Sequence, residues 1–179
     1  IKHAISFLLH GEQRPIYAQI SYLTPNNRLF GKKIIVTGGS RGLGFSMAQK
    51  FVSEGADVLI TGRDEMSLKR SAQQLHCKYL VLDAQDLESF KSFYTTAEQL
   101  LGGFNCLVNN AGVSLHEQDF FHVTKESFDK QINTNLRSSV FMAQGFIQEL
   151  LETKQKGNLL FISSEVGDLA DNRPYGWTK

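Results

Sequence analysis

The sequence of 179 residues lacks several features that mark specialised classes of protein. It has two cysteines, Cys77 and Cys106, which is too few for the disulfide framework of a small secreted domain. Each begins an apolar run and is expected to be a small buried residue of a protein in a reducing compartment such as the cytoplasm. Every apolar run is far shorter than the roughly 20 residues of a membrane span. The run at 5–9 is also too short for a secretory signal core.

An excess of charge of one sign is missing as well. The chain has 19 Lys and Arg against 18 Asp and Glu, a formal net charge of +1. Because nucleic acids and membrane surfaces attract strongly basic proteins, neither is an expected partner. Internal repeats and low-complexity tracts are also absent from the sequence. With 41% hydrophobic residues, the composition is that of an average globular domain with a sizeable core.

From residue 32 onward, short apolar runs alternate with amphipathic segments. We predict strands at 33–36, 58–60, 77–82, 107–108 and 159–162, and helices over 43–53, 65–75, 87–101 and 127–152, the last interrupted near 133–135. Continuous apolar strands separated by helices predict an α/β fold, a Rossmann-type doubly wound parallel sheet with helices on both faces. Residues 1–31 do not follow this pattern, and we interpret them as an N-terminal extension of a domain over 32–179.

The turn after the first strand is rich in glycine. It reads Thr37-Gly38-Gly39-Ser40-Arg41-Gly42-Leu43-Gly44. Gly38 suits a tight exit from the strand, Gly42 leaves room for a pyrophosphate, and Gly44 lets the helix pack closely on the sheet. The helix that starts near Leu43 offers free N–H groups and the positive end of its dipole to phosphate. Glycines also mark ordinary turns, but this position between strand and helix predicts a dinucleotide site.

Three more motifs follow in the order and near the spacing of a known family. They are Asn109-Asn110-Ala111-Gly112, Ile162-Ser163-Ser164 and Tyr175-Gly176-Trp177-Thr178-Lys179. With the glycine turn, they resemble the short-chain dehydrogenase/reductase family over residues 31–179. The resemblance implies an oxidoreductase that interconverts a carbonyl and an alcohol of a small-molecule substrate, with a nicotinamide dinucleotide as hydride donor or acceptor.

The resemblance also implies catalytic roles. Tyr175 corresponds to the general acid and base, and Lys179 to the ammonium that favours the phenolate and holds the nicotinamide ribose. Because the two are four residues apart, one helix would place them on the same face. Ser164, preferred to Ser163, corresponds to the hydroxyl that orients the substrate oxygen, and Asn135 to the helix-kink asparagine that holds a relay water.

Further positions correspond to the family's cofactor contacts. Asp83 matches the residue that contacts the adenine amino group, although it is also placed to cap the end of the third strand. Asn109, Asn110, Ala111 and Gly112 match the segment under the adenosine ribose. Because asparagine side chains can bond neighbouring strand ends, part of their role is expected to be structural.

The choice between NAD and NADP is expected at the end of the second strand, where an acidic residue would bind the ribose 2′-hydroxyl of NAD. Thr61-Gly62-Arg63 stands there instead, and Arg41 is a second nearby cation. Because arginine can hold a phosphate through two hydrogen bonds, we predict NADP(H) in preference to NAD(H). The alternative is that Arg63 merely starts the next helix, whose first turn suits Asp64 and Glu65.

Several expectations concern the loops and ends. Phe120-Phe121 is expected to anchor its loop on the core, and the polar loop between Ser164 and Tyr175 is shorter than the family's. The chain begins with Ile1 rather than Met and stops after Lys179, where family members continue, so we expect a fragment truncated at the C-terminus. The family implies a homo-oligomer for the full-length protein. Candidate contacts on the helix over 137–152 are Phe141, Met142, Phe146 and Leu150 or Leu151, although this spacing also suits core packing.

Two other hypotheses stay open. One is a module or sensor that binds NAD(P) without catalysis, and Ser164, Asn135, Tyr175 and Lys179 together argue against it. The other is a sugar-nucleotide epimerase or dehydratase of the related extended type, which the glycine spacing and the Asn-Asn-Ala-Gly segment disfavour. No spacing of cysteines or carboxylates around the histidines predicts a metal site.

Overall fold

A computed structural model describes residues 26–167 and 173–179. Within these ranges, five parallel strands form one sheet in the order β3-β2-β1-β4-β5. The strands are β1 (Lys33–Thr37), β2 (Asp57–Gly62), β3 (Lys78–Val81), β4 (Cys106–Asn109) and β5 (Asn158–Phe161). The helices are α1 (Gly42–Ser53), α2 (Glu65–Leu75), α3 (Phe90–Leu101), α4 (Lys125–Gln131), α5 (Ser138–Glu152) and α6 (Pro174–Trp177). The predicted doubly wound parallel fold is confirmed, and none of the helices in the described ranges is long and apolar enough to cross a membrane.

The sheet has a hydrophobic core on each face, because successive side chains of a strand point in opposite directions. On one face, Ile35 and Leu59 pack with α3 and α5. On the other, Val36 and Ile60 pack with α1 and α2. The direction in which successive strands are added reverses between β1 and β4, which is where a sheet of this kind opens a crevice for ligands.

The helix α5 joins the first core through two residues that were also candidates for subunit contacts. Met142 and Phe146 are buried against the sheet, so for these two the core-packing alternative is correct. Phe141 and Leu151 are exposed. Homo-oligomer formation stays a prediction.

The two outer strands of the described sheet are less buried than expected. β3 is partly exposed along its length, and Phe161 at the end of β5 is 55% exposed. Each pairs with one neighbour only among the described residues, so one side lacks the packing of a central strand. Cys106 is buried as predicted, whereas Cys77 lies before β3 and is half-buried. Burial raises the pKa of the Cys77 thiol to about 11, which disfavours the reactive thiolate.

The long helical segment predicted over 127–152 consists of three parts. α4 starts two residues earlier, because Thr124 and Ser127 form reciprocal side-chain-to-backbone hydrogen bonds of 3.1 and 3.2 Å. A π-helix over Ile132–Arg137 then leads into α5. The predicted interruption near 133–135 is therefore real, and it takes the form of a widened turn. The third predicted helix also starts late, since its first three residues, Leu87–Ser89, form a 3₁₀ turn.

The described residues before β1 lie against the end of α1. The amide of Leu29 donates to the carbonyl of Glu54 at 2.8 Å. The buried Glu54 carboxylate accepts a 2.6 Å hydrogen bond from Lys50 and lies 3.8 Å from Arg28. These two cations hold the pKa of Glu54 below its ordinary value, with the hydrogen bond from Lys50 as the main cause. The rest of the predicted extension, residues 1–25, lies outside the described residues.

A glycine in the middle of α5 allows that helix to meet α3. A Cβ at Gly145 would lie 2.6 Å from a ring carbon of Tyr94, whose hydroxyl donates to the carbonyl of Met142 at 2.5 Å. Helix propensity alone would favour alanine by about 1 kcal/mol. Because the Tyr94 ring is fixed in the core, the overlap outweighs that gain.

We therefore expect Gly145→Ala to destabilise the protein by about 1–3 kcal/mol. Urea unfolding followed by circular dichroism would measure the change in the free energy of unfolding. The matched control is Gln144→Ala on the exposed side of the same helix, which should stay within about 0.5 kcal/mol. A Gly145→Ala variant as stable as the parent would contradict the packing described for α3 and α5.

Candidate active site

A cleft of about 920 Å³ opens at the carboxyl ends of β1, β2 and β4. Its volume is within the usual range for a ligand site. Nearly all predicted cofactor-binding residues line it, namely Thr37, Gly38, Ser40, Arg41, Gly42, Leu43, Gly44, Arg63, Asp83, Asn109, Asn110, Ala111 and Gly112. Tyr175 and Lys179, the other two, are not among the residues that line this cleft.

The hydroxyl of Thr37 joins the ends of β1 and β4. Its Oγ1 accepts hydrogen bonds from the amides of Asn110 (3.0 Å) and Ala111 (2.9 Å) and donates to the carbonyl of Val108 (3.3 Å). Thr37 is 4% exposed, so its hydroxyl has little access to water. One buried hydroxyl thus fixes the Asn-Asn-Ala-Gly segment beside the glycine turn.

Asn110 reinforces the same junction from the other side. Its Nδ2 donates to the carbonyls of Thr37 (2.8 Å) and Gly38 (3.2 Å). The Nδ2 of Asn109 donates to the carbonyl of Ser139 in α5 at 3.1 Å. Both side-chain amides hold protein elements together, which supports the structural part of the role that was expected for them.

The start of α1 has the form of a phosphate site. Arg41, the residue before the helix, is extended and makes no side-chain cap, and the first turn carries no acidic residue. Gly42 has φ +56°, and a Cβ there would meet no atom within 4 Å. Because the first N–H groups of a helix lack intrahelical partners, this open approach suits a pyrophosphate.

Gly44 has a different purpose, in agreement with the sequence-based expectation. A Cβ at this position would overlap the carbonyl oxygen of Gly38 and lie 2.5 Å from Nδ2 of Asn110. The helix therefore packs directly on the junction between β1 and β4. Gly44 is buried and shapes the turn from beneath.

The far end of the cleft, beside β2 and β3, carries both charge signs. Arg41 and Arg63 line it together with Asp64 and Asp83. Asp64 caps α2 by accepting from the amide of Ser67 at 2.7 Å. Hydrogen bonding from the Ser67 side chain, and secondly from this amide, holds the pKa of the Asp64 carboxyl below its ordinary value. Asp83 accepts from the amide of Gln85 at 3.0 Å, so it acts as a cap as well as a cleft residue.

Asn135 lies buried in the π-helix, next to the catalytic candidates. Its Oδ1 accepts from the amide of Val113, and its Nδ2 donates to the carbonyl of Val113, both at 2.8 Å. The same Nδ2 donates to Oγ1 of Thr178 at 2.9 Å. The side chain thus ties the strand extension after β4 to the turn between Tyr175 and Lys179. Its role in holding a relay water stays a prediction.

Tyr175 and Lys179 are close, although one helix does not carry both. α6 ends at Trp177, so the expectation of a shared helical face is wrong for Lys179. Its Nζ nevertheless lies 5.8 Å from the centre of the Tyr175 ring and donates to the carbonyl of Ile162 at 3.1 Å. Burial lowers the pKa of the Lys179 ammonium below its ordinary value.

The two serines after β5 differ in what they do. Oγ of Ser163 donates to the backbone oxygen of Lys179 at 2.9 Å and so joins β5 to the Tyr-Lys turn. Ser164 is half-buried, and its carbonyl accepts from the amide of Gly167. The role of Ser164 as the reactive hydroxyl stays a prediction. The loop that we expected to be compact includes residues 168–172, which lie outside the described residues.

The aromatic residues of the loop before α4 do not anchor it on the core. Phe121 is 91% exposed, so the expectation for this pair is wrong. The ring of Phe120 instead lies 6.1 Å from that of Trp177, which also lies 6.3 Å from Phe128. The loop is therefore linked to the turn that carries Tyr175.

Sequence reasoning missed several residues of the cleft. Val113, Ser114, Thr134, Ser138 and Ser139 all line it on the side of α5. The hydroxyl of Thr134 is buried without a hydrogen-bond partner in the described structure. The nearest sequence signal was the interrupted helix, since widened helical turns are frequent at functional sites.

The geometry agrees with the comparison to known proteins. The family model described as short chain dehydrogenase matches residues 32–179. The chain belongs to the short-chain dehydrogenase family. Members of this family bind NAD(P), and the Rossmann-type fold described above agrees with the family assignment.

Individual relatives are moderately similar. The NADP-dependent (R)-specific alcohol dehydrogenase of Lentilactobacillus kefiri is 32% identical over 81% of this chain and 59% of that protein. The L-rhamnose 1-dehydrogenase (NADP(+)) of Thermoplasma acidophilum is 32% identical over 75% of this chain and 55% of its own length. A crystal structure of a short chain dehydrogenase from Mycobacterium smegmatis superposes with a TM-score of 0.80 at 26% identity, covering 84% of this chain and 66% of that one. The chain thus spans less than three fifths of the length of these two relatives.

The Thr37 junction gives a stability prediction. Thr37→Val keeps the shape but removes the acceptor for two part-buried amides, so we expect a loss of about 2–6 kcal/mol, at 1–3 kcal/mol for each unsatisfied group. Thr37→Ser keeps the hydroxyl and is the matched control, with an expected loss below about 1.5 kcal/mol. Guanidinium unfolding would measure both variants. Equal losses of unfolding free energy in Thr37→Val and Thr37→Ser would show that local packing matters more than the hydrogen bonds.

Proposed function

We propose that the protein is an NADP-dependent oxidoreductase that interconverts a carbonyl and an alcohol of a small-molecule substrate. The observation that carries the proposal is one continuous arrangement. The uncapped start of α1 and two arginines line the cleft, while Asn135 links the wall at Val113 to the turn that holds Tyr175 and Lys179. Two similar proteins are named as NADP-dependent or NADP(+) dehydrogenases of an alcohol and a sugar, which supports the same cofactor and reaction class.

The described residues fit the cofactor at both ends. Gly42 and the first N–H groups of α1 would take the pyrophosphate, and Arg41 and Arg63 would take the adenosine 2′-phosphate. Lys179 would reach the nicotinamide ribose, and Asp83 the adenine. When bound, the nicotinamide supplies or accepts the hydride. Residues 32–179 would thus form the cofactor-binding domain.

Tyr175 would transfer the proton. In the reduction, its hydroxyl would donate a proton to the substrate oxygen, and in the oxidation its phenolate would take that proton back. A positive charge at Lys179 near the ring favours the phenolate. Ser164 would donate a hydrogen bond to the same substrate oxygen and hold it at the tyrosine hydroxyl. Asn135 would support the relay that returns the proton to solvent.

A binding module without catalysis would need the cleft but not the Tyr175 and Lys179 pair. In the structure, Ser163 and Asn135 both brace the turn that carries this pair, through the backbone of Lys179 and the hydroxyl of Thr178. Such bracing favours the enzyme, because proton transfer depends on a fixed geometry.

The cofactor preference is tested by direct binding. We expect the protein to bind NADPH more tightly than NADH, as measured by quenching of intrinsic fluorescence. Arg63→Ala should weaken NADPH binding by at least about tenfold and leave NADH binding nearly unchanged, since a hydrogen bond to a charged group contributes about 1.5–3 kcal/mol. Lys69→Ala, an exposed cation on α2, is the control and should change neither constant. A parent protein that prefers NADH would overturn the NADP assignment.

The catalytic role is tested by Tyr175→Phe. Without the phenolic proton, turnover of a panel of small ketones and aldehydes with NADPH should fall by at least about 100-fold. The dissociation constant for NADPH should stay within a factor of about two, because the cleft is unchanged. Tyr79→Phe on β3, outside the cleft, is the matched control and should keep full turnover. Unchanged turnover in Tyr175→Phe would refute the general acid–base role.

A further inference from the structure

The backbone of the glycine turn is tied to α2 by a buried serine. Ser71 is 7% exposed, and its Oγ donates to the carbonyl of Ser40 at 2.9 Å. This bond connects the inner side of α2 with the segment that lines the cleft just before Arg41. Ser71 itself is not among the residues that line the cleft, so it acts on a ligand only through the turn.

The same turn is held from the sheet as well. The amide of Gly39 donates to the carbonyl of Thr61 at 3.0 Å. A Cβ at Gly39 would lie 2.6 Å from Cβ of Ile60, so the backbone rests directly on β2. The peptide units at positions 39 and 40 are therefore fixed between β2 and α2.

Arg41 follows immediately, and its direction depends on this fixation. Its backbone is extended, with φ −161° and ψ 171°, and its carbonyl accepts from the amide of Phe45 at 3.2 Å. Arg63 follows the end of β2, two residues after the carbonyl that receives the Gly39 amide. The bonds on either side of Ser40 thus set where Arg41 stands relative to Arg63.

A buried hydroxyl needs an acceptor in any protein, so the bond from Ser71 also has a plain architectural explanation. The two explanations predict different results. A purely architectural bond would change stability, or the binding of both dinucleotides alike. A bond that places Arg41 would change only the binding of the ligand that carries the 2′-phosphate.

We propose that Ser71 is a positioning residue for recognition of the adenosine 2′-phosphate. By holding the Ser40 carbonyl, Ser71 places Arg41 so that Arg41 and Arg63 bind the same phosphate. This inference rests on the proposed NADP preference. It assigns part of that preference to a buried residue on the inner side of α2 that is not among the residues lining the cleft.

The test compares the dissociation constants of NADPH and NADH for the parent protein, Ser71→Ala and Ser71→Thr. In Ser71→Ala, NADPH should bind about fivefold more weakly and NADH within about twofold of the parent, the scale of one neutral hydrogen bond. Ser71→Thr retains the hydroxyl and should restore NADPH binding. Ser53→Ala, which removes an exposed hydroxyl bond at the other end of α1, is the control and should change neither.

A second probe isolates the phosphate. Adenosine 2′-monophosphate should lose affinity in Ser71→Ala, while adenosine 5′-monophosphate should not. If Ser71→Ala does not fold, Ser71→Cys, with a weaker donor of similar size, should show a smaller loss in the same direction. Equal effects on both dinucleotides, or none, overturn the role of Ser71 alone. A parent that prefers NADH overturns the cofactor proposal, and this inference falls with it.

Discussion

The cleft depends on the junction between the ends of β1 and β4. There the hydroxyl of Thr37 accepts from the backbone amides of Asn110 and Ala111, and the side-chain amide of Asn110 donates to the backbone carbonyl of Thr37. Two parallel strands that end side by side leave several amides and carbonyls without partners. Here two short polar side chains form hydrogen bonds with those amides and carbonyls and leave the cleft above them open. The glycine turn, the start of α1 and the wall of the cleft at Ala111 are all positioned from this one connection. Its burial makes each bond more consequential, since water cannot replace it.

A second connection, centred on Asn135, links the cleft to the reactive turn. Widening the helix at the π-helical turn brings a polar side chain to the wall at Val113 and the hydroxyl of Thr178. α5 follows the π-helix immediately and packs on the core through Phe146. The π-helical turn thus contacts both the cleft wall at Val113 and the turn at Thr178, while the helix that follows it packs regularly on the core.

Much of this arrangement follows from local patterns in the chain. Apolar strands, helix periodicity and the glycine spacing predict the sheet and the residues of the cleft, because each pattern reflects burial or steric need at its own position. The outer strands were harder to predict, since the exposure of β3 and β5 depends on which strands pair beside them. The Phe120-Phe121 pair was misjudged for a related reason. The sequence does not show which residue an apolar side chain will pack against. Phe120 lies against Trp177, which is distant in the sequence, rather than against the core.

The asparagines show that residue type and spacing do not predict which groups a side chain will bond. Asn109, Asn110 and Asn135 were all expected near the cofactor, and all three lie near the cleft or the reactive turn, yet their amides bond protein groups. These hydrogen bonds depend on the relative placement of residues that are 22 to 73 positions apart, which no local spacing encodes. Ser71 is an example of the same difficulty, since nothing around it in the sequence distinguishes it from other helical serines.

Gly112 belongs to the segment that begins at this junction, and its lack of a side chain has a consequence for the whole site. A Cβ there would lie 3.3 Å from Nζ of Lys179 and 3.5 Å from Oδ1 of Asn135. The segment after β4, the π-helical turn and Lys179 therefore meet closely at this glycine. The Lys179 ammonium also donates a hydrogen bond to the carbonyl of Ile162. The absence of a side chain at position 112 thus leaves room for the Lys179 ammonium beside the Asn135 amide.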